Sequence, residues 1–282
     1  MPEAALRDFL PATAPIGTVP GTMLRDLVPG SAPRDTLPVL PALRPAVPGG
    51  LRPGSVVGLD GPGAASLGLA LVAGASRHGG ADGTGGWCGV VGVPGFGVAA
   101  AAGMGAEPER LLLVDDPGDR WPDVVAALCE AVDLVLLCPP ERPGAAAVRR
   151  LGALARKHGC VLTLTGAFAR EWPGVRLRLR LEDIAWDGLA DGHGRLTGRR
   201  ARVVAEGRDA PGPGRRARVW LPAPDGSVRP DETARRPLEL VPETPETVAE
   251  GGAVHRRPPG APPRVRVPAR QESGQEIGEE IA

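Results

Sequence analysis

The stretch SVVGLDGPGAASLGLALVAGA, residues 55–75, decides the fold of this chain. The short apolar run 56–59 predicts a buried strand, and the small apolar residues 66–75 predict a helix. Residues 60–65, which lie between them, predict a tight glycine turn. A buried strand, a glycine turn and a helix in this order are the layout of a phosphate-binding loop.

The loop itself lacks most of the side chains that bind a phosphate. The pattern is G-x-x-x-x-G-K-[ST], because backbone N–H groups cradle the phosphates, the Lys reaches the terminal ones and the hydroxyl ligates magnesium. When the pattern starts at Gly61, its second Gly falls on Ser66, its Lys on Leu67 and its Ser/Thr on Gly68. We therefore expect no cofactor here, with weak ATP or ADP binding by backbone N–H groups as the alternative. The degenerate loop comprises Gly61, Pro62, Gly63, Ser66, Leu67 and Gly68.

Downstream of the loop, short apolar runs alternate with helical patterns. This alternation predicts a mostly parallel sheet with helices on both faces. The predicted strands are 87–93, 110–114, 133–138 and 161–165, and the predicted helices are 98–105, 119–132 and 144–158.

From residue 175 the pattern changes to strict alternation, VRLRLRL, which predicts a half-exposed edge strand with its arginines outward. The end of the stretch 195–205, ARVVA (201–205), predicts a further strand, so this part is interpreted as an antiparallel extension. Its arginines form a candidate surface for DNA phosphate or an acidic partner. An ordinary solvated edge strand is the alternative. The candidate residues are Arg176, Arg178, Arg180, Arg195, Arg199, Arg200 and Arg202.

Composition bounds the domain organisation. The 282 residues include 41 Gly and 33 Pro, which predicts unstructured segments beside one domain. We expect a flexible Pro-rich arm over residues 1–38, a compact domain over 39–208 and a largely disordered tail over 209–282. Within that tail, 218–221 is the segment best suited to add a strand or to bind a partner. The 33 basic and 33 acidic residues balance, which gives no global case for nucleic acid or membrane binding.

The remaining chemistry-bearing residues predict structural roles. The four cysteines stand singly in apolar runs, which favours buried reduced thiols over a metal site or disulfides. Asp115, Asp116 and Asp133 lie at strand ends, where caps and solvated turns are commoner than metal ligands. His193 lies in a turn without a nucleophile nearby in sequence. With no signal peptide and no 18-residue apolar span, a cytoplasmic location is expected.

Three stretches resemble the core of the RecA-type recombinases. GPGAASLG (residues 61–68) is similar to their phosphate-binding loop, VVGVPGFGV (90–98) to the strand with the catalytic Glu, and VDLVLLCP (132–139) to the strand that ends in the Walker B Asp. Here the Glu falls near Pro94 and the Asp on Cys138. The resemblance implies an α/β fold: a RecA-like P-loop NTPase core with a mostly parallel central sheet and an antiparallel extension, flanked by disordered arms.

Within that superfamily the sequence resembles the ImuA-type accessory proteins of actinobacterial mutagenesis cassettes. The resemblance rests on PALRPAVPGGLRPGSVV (41–57), the degenerate loop and WDGLADGHGRLTGRRARVVAEGR (186–208). It implies a non-catalytic adaptor in damage-induced mutagenesis and the SOS response, which docks an inactive Y-family polymerase homologue and an error-prone C-family polymerase. RecA and DNA are further candidate partners, and the resemblance extends the expected cytoplasmic location to nucleoid association under DNA damage. The alternatives are a nucleotide-dependent DNA-binding recombinase relative and a SulA-like inhibitor of cell division.

Catalysis is not expected. Phosphoryl transfer relies on Lys and Mg²⁺ to stabilise transition-state charge, and the metal needs hydroxyl and carboxylate ligands. Because the Lys, the hydroxyl, the Glu and the Asp are all absent, we predict that the chain is not an ATPase.

Overall fold

The strands of this α/β protein form a single sheet across the part of the chain that the computed structural model describes, residues 35–80, 83, 85–190, 193–210, 212 and 215–232. The sheet order is β3-β2-β4-β5-β1-β6-β7-β8-β9. The strands are β1 (Val56–Asp60), β2 (Cys88–Val91), β3 (Leu111–Val114), β4 (Leu134–Leu137), β5 (Val161–Leu164), β6 (Leu177–Ala190), β7 (His193–Glu206), β8 (Arg216–Trp220) and β9 (Arg229–Pro230).

The first six strands are parallel, and the last three continue the sheet in antiparallel pairs. This confirms the predicted mostly parallel sheet with an antiparallel extension. The four described α-helices are α1 (Ala64–His78), α2 (Val98–Gly103), α3 (Trp121–Ala131) and α4 (Ala145–His158), and short 3₁₀ helices occupy Pro41–Leu43, Pro108–Arg110 and Gly118–Arg120.

Two apolar layers enclose the sheet. On one face α1 packs with residues from β1, β6, β7 and β8 and with the segment 37–51. On the other face α3 and α4 pack on β2, β4 and β5, with Trp121 and Trp172 6.5 Å apart between ring centroids. Strands β2, β4 and β5 are buried along their whole length, as expected for parallel strands covered on both faces.

Helix α1 lies close to the chain segment that precedes β1. A Cβ atom on Gly74 would come within 2.8 Å of the backbone nitrogen of Leu40 and 3.0 Å of Val39 Cα. Only glycine permits this approach. Residues Leu37 and Leu51 also pair through reciprocal backbone hydrogen bonds of 2.7 and 2.8 Å, so the lead-in to β1 is part of the domain.

Three sequence-based predictions need correction. Strand β6 is an interior strand, because it pairs with β1 on one side and β7 on the other. The sheet continues beyond the expected boundary at residue 208, since β8 and β9 reach Pro230, in keeping with the prediction that 218–221 adds a strand. The helix predicted over 119–132 begins as an α-helix only at Trp121, because Gly118–Arg120 form a 3₁₀ helix. The expected arms lie, for residues 1–34 and 233–282, outside the described residues.

Candidate functional site

The glycine loop connects β1 to α1 at the carboxyl edge of the parallel sheet, which is where ligands bind in open α/β sheets. Gly61 and Gly63 have φ angles of 75° and 82°, a region that glycine adopts without strain. Helix α1 begins after Gly63, and no side chain caps it. A pocket of about 490 Å³ opens in front of it. The pocket is lined by Leu59, Asp60, Gly61, Gly63, Ala64, Ala65, Thr165, Gly166, Ala167, Arg170 and Glu171.

Apolar groups occupy the two positions at which the phosphate-binding pattern has its lysine and its metal-binding hydroxyl. Leu67 is completely buried in the apolar layer around α1. A Cβ atom at Gly68 would lie 3.0 Å from Leu136 Cδ2 and 3.5 Å from Leu59 Cδ1. Carbon atoms in good contact are about 3.5–4.0 Å apart, so Leu136 must move before any side chain fits at position 68.

The neighbouring strand ends offer no replacement for the missing metal ligands. Cys138, which the sequence resemblance aligns with the Walker B Asp, has a thiol whose pKa is raised by burial. A protonated thiol is a poor metal ligand. Pro94, near the expected position of the catalytic Glu, has no ionisable group. The described residues contain no group of three or more His, Cys, Asp or Glu side chains that could hold a metal ion.

Both carboxylates of the pocket are held in ion pairs. Arg178 Nη1 donates to Asp60 Oδ2 at 3.1 Å, and Arg142 pairs with Glu171. The Arg178 guanidinium also donates to the carbonyl oxygens of Ala169 and Arg170, at 3.4 and 2.7 Å. Arg178 therefore links β6, the end of β1 and the segment after β5, which is a structural role at the rim of the pocket.

Arg176, one residue before β6, and Arg180, on β6, are also paired with carboxylates. Arg176 makes a bidentate contact with Asp209, with Nε–Oδ2 and Nη2–Oδ1 distances of 2.8 Å. This contact lowers the pKa of the Asp209 carboxyl. Arg180 binds Glu206 across to β7, with an Nη2–Oε1 distance of 2.7 Å, and also pairs with Glu182. Positive charge on this strand is thus locally balanced.

On β7 the predicted surface residues separate to the two faces of the sheet. Arg200 pairs with Asp187 at 2.7 Å, and Arg202 pairs with Glu182 and Asp183 on the outer face, which no described helix covers. Alternation places Arg199 on the opposite face. Arg195 is exposed and makes no ion pair within the described part of the chain.

Arg199 lies beside the glycine loop and is only 6% exposed. Its Nε donates to the Leu221 carbonyl oxygen at 2.7 Å, and its guanidinium lies 5.1 Å from the Trp186 ring centroid. A Cβ atom on Gly63 would be 3.2 Å from its Nη1. Burial lowers the pKa of this guanidinium. The predicted arginine surface is therefore not one surface: Arg199 packs inside, and the others form ion-pair ladders outside, with Arg195 as the exposed exception.

The predicted arginine surface did not include the arginines of β8, although 218–221 was predicted to add a strand or to bind a partner. Arg216 and Arg218 are exposed on that strand and have no ion pair among the described residues. Trp220 follows on the same face, with the guanidinium carbons of Arg200 and Arg229 at 5.4 and 5.7 Å from its ring centroid. The alternating pattern RARVW, residues 216–220, is the sequence feature from which these exposed arginines could have been predicted.

The other candidate residues have structural roles. Asp133 is buried and accepts the Trp87 backbone N–H at 2.9 Å. Asp116 accepts the backbone N–H of Gly118 at 3.3 Å, and Asp115 is exposed at the end of β3. The His193 side chain lies outside the described residues. The expectation of buried cysteines is confirmed for Cys88, Cys129 and Cys160, and Cys138 is half-buried.

No α-helix in the described ranges is both long and apolar enough to cross a membrane.

Comparison with known proteins places the chain in a family. Residues 45–174 match the family described as the MT3502 N-terminal domain, a range that contains β1 to β5 and the glycine loop. The chain is also 36% identical over 174 residues to the uncharacterized protein Rv3395c of Mycobacterium tuberculosis, an alignment that covers 59% of this chain and 80% of that protein. The chain belongs to the same family as Rv3395c.

Proposed function

We propose that this chain is a non-catalytic accessory protein of damage-induced mutagenesis, built on a RecA-like core. In this proposal it docks an inactive Y-family polymerase homologue and an error-prone C-family polymerase during translesion synthesis. The RecA-like identity of the core, the ImuA-type assignment and the polymerase partners come from the sequence resemblance, and the geometry of the glycine loop supports the non-catalytic part.

The observation that best supports the proposal is the packing of apolar side chains around Gly68. A nucleotide hydrolase needs room there for a hydroxyl, a metal ion and its ligands. In this chain Leu136 and Leu59 stand against that position, and the neighbouring Leu67 is fully buried. The strand–turn–helix unit is retained as a packing element, while the groups for phosphoryl transfer are replaced by apolar ones.

A second observation supports docking. The outer face of β6, β7 and β8 carries alternating charged side chains, and no described helix packs on it. Because most of its arginines are already paired with carboxylates of the same face, this surface is of mixed charge. Such a surface suits a polar protein interface, in which complementary charges set orientation and partner choice.

The experiment is a complementation assay for damage-induced mutation in a host that lacks this gene. Ser66→Ala and Thr165→Ala change the loop and the pocket without enlarging any side chain, and the fold of each variant is checked by thermal denaturation. We expect both variants to restore damage-induced mutation to the wild-type frequency, because the loop has no catalytic task.

Arg200→Glu and Arg202→Glu test the docking face in the same host. We expect the pair of changes to reduce induced mutation by at least tenfold and to abolish co-purification of the Y-family homologue. A loop variant that folds and yet abolishes induced mutation would contradict the proposal. Filamentation on overexpression without any change in mutation frequency would instead favour the SulA-like alternative.

A further inference from the structure

Strand β3 forms one edge of the described sheet, and its four residues include no charge or proline. It reads Leu-Leu-Leu-Val and pairs only with β2 among the described strands. Natural edge strands usually carry a charge, a proline or a bulge that prevents edge-to-edge association. None of these interrupts β3, and Leu113 is 42% exposed, one of three large apolar side chains exposed in the described residues.

The backbone groups that point outward can be identified. Gly92 of the segment after β2 donates its N–H to the Val114 carbonyl at 2.9 Å, so the polar groups of Val114 face β2. In an extended strand these groups alternate between the two sides. The N–H and C=O groups of Leu112 therefore also point to β2. Those of Leu111 and Leu113 point to the free edge of the sheet.

Charges flank the strand with opposite signs at its two ends. Arg110 precedes it, and Asp115 and Asp116 follow it and are exposed. The Arg110 guanidinium donates one hydrogen bond, from Nη1 to the Gly85 carbonyl at 2.9 Å. Because a guanidinium has five N–H donors, it retains capacity for a carboxylate.

We propose that β3 pairs antiparallel with β3 of a second copy of this chain, with Leu113 on the two-fold axis. In this register Leu113 faces Leu113 of the second copy as a hydrogen-bonded pair, and Leu112 lies opposite Val114. The Arg110 end of each strand then lies beside the Asp115–Asp116 end of the other. The charge pattern is self-complementary only when the strands run antiparallel, and such a pairing closes with two-fold symmetry.

The dimer has a geometric consequence. A two-fold axis through an antiparallel strand pair within one continuous sheet runs perpendicular to that sheet. The outer faces of β6 to β8 of both copies then lie on the same side, at opposite ends of an extended sheet. Each copy contributes only the four residues of β3 to the contact, so the buried area is small. We therefore expect a dissociation constant on the order of micromolar.

The test measures the mass of the full chain by light scattering and sedimentation over a concentration series from about 1 to 100 µM. The monomer is 29.0 kDa, so the dimer has twice that mass. Leu113→Lys places two ammonium groups on the axis and is expected to weaken dimerisation at least tenfold. Leu196→Lys is the matched control, because Leu196 is 48% exposed on β7, far from this edge in sheet order. It should leave the dimer unchanged.

A second variant keeps the test decisive if Leu113→Lys fails to fold. Cα atoms of a hydrogen-bonded antiparallel pair lie about 5.5 Å apart, within disulfide range. Leu113→Cys should therefore form a reducible covalent dimer under mild oxidation, and Leu196→Cys should not. A monomeric wild-type chain at every concentration, a dimer that survives Leu113→Lys, or a dimer in which Leu113→Cys does not cross-link would each overturn the inference. Pairing of β3 with another segment or another protein would appear as the monomeric outcome.

Discussion

Replacing Gly68 with Thr restores the hydroxyl of a phosphate-binding loop and tests whether the site has room for it. The new Cβ would lie 3.0 Å from Leu136 Cδ2 and 3.2 Å from Leu136 Cδ1. Leu136 is 1% exposed and packed on all sides, so it cannot simply swing away. Overpacking of this kind costs about 1–3 kcal/mol, and two further atoms beyond Cβ favour the upper part of that range.

A smaller gain opposes this cost. Removing glycine from a helix interior recovers roughly 0.3–0.5 kcal/mol when the replacement is Thr and about 1 kcal/mol when it is Ala. We therefore expect Gly68→Thr to lose about 2 kcal/mol of unfolding free energy. Gly152→Ala in α4 is the control, because its Cβ would meet only Arg156 Nη1, at 3.5 Å, an ordinary contact. That variant should be more stable than wild type by up to about 1 kcal/mol.

Urea denaturation measures both changes, with the slope checked for constancy so that the midpoint reports stability. Isothermal titration with ATP and magnesium is then run on wild type and on Gly68→Thr. We expect no magnesium-dependent binding in either. A Gly68→Thr variant that is as stable as wild type and binds ATP only with magnesium would refute the view that hydrocarbon fills this position.

Three further predictions concern the arginine ladders and the thiols. Arg178→Gln should lower the free energy of unfolding by about 2 kcal/mol, because it leaves the partly buried Asp60 without its cation. In the same denaturation assay Arg180→Gln, whose ion pairs are more exposed, should lower it clearly less. Asp209→Asn should destabilise the fold at neutral pH. The pKa of Asp209 is lowered from 3.8, so its contribution is present above that pH and is lost as pH falls through the lower folded value; acid unfolding curves of wild type and variant should therefore converge. Iodoacetamide at pH 8 should label Cys138 before any other cysteine in the native chain, as mass spectrometry would show, and first labelling elsewhere would contradict the burial pattern.

The order of strands and helices in the core was predictable from sequence, because buried parallel strands are short apolar runs and amphipathic helices carry a 3.6-residue period. The error at β6 has a physical cause. Its outward arginines form ion pairs with carboxylates on β7 and on the loops. An interior strand can therefore show the same alternation of apolar and charged residues as an edge strand. Local sequence does not reveal which strand lies beside it.

The glycine loop was predictable as degenerate because three of the four defining positions of the phosphate-binding pattern are lost. What sequence could not supply is the filling of that site, since Leu136 comes from β4, 68 positions further along the chain than Gly68. The prediction of a single arginine surface was wrong for a similar reason. Arg199 and Arg200 are neighbours in sequence but lie on opposite faces of β7. Their partners come from distant segments, such as the Leu221 carbonyl and Asp187.

The most direct test of the central claim is reconstitution of the full chain with the Y-family polymerase homologue and the C-family polymerase, each purified separately. Complex formation is measured by sedimentation, once in buffer containing EDTA and no nucleotide and once with ATP and magnesium. We expect the same complex with the same affinity in both conditions, and loss of the complex with Arg200→Glu and Arg202→Glu combined. Absence of any complex, or a complex that forms only with ATP and magnesium, would contradict it.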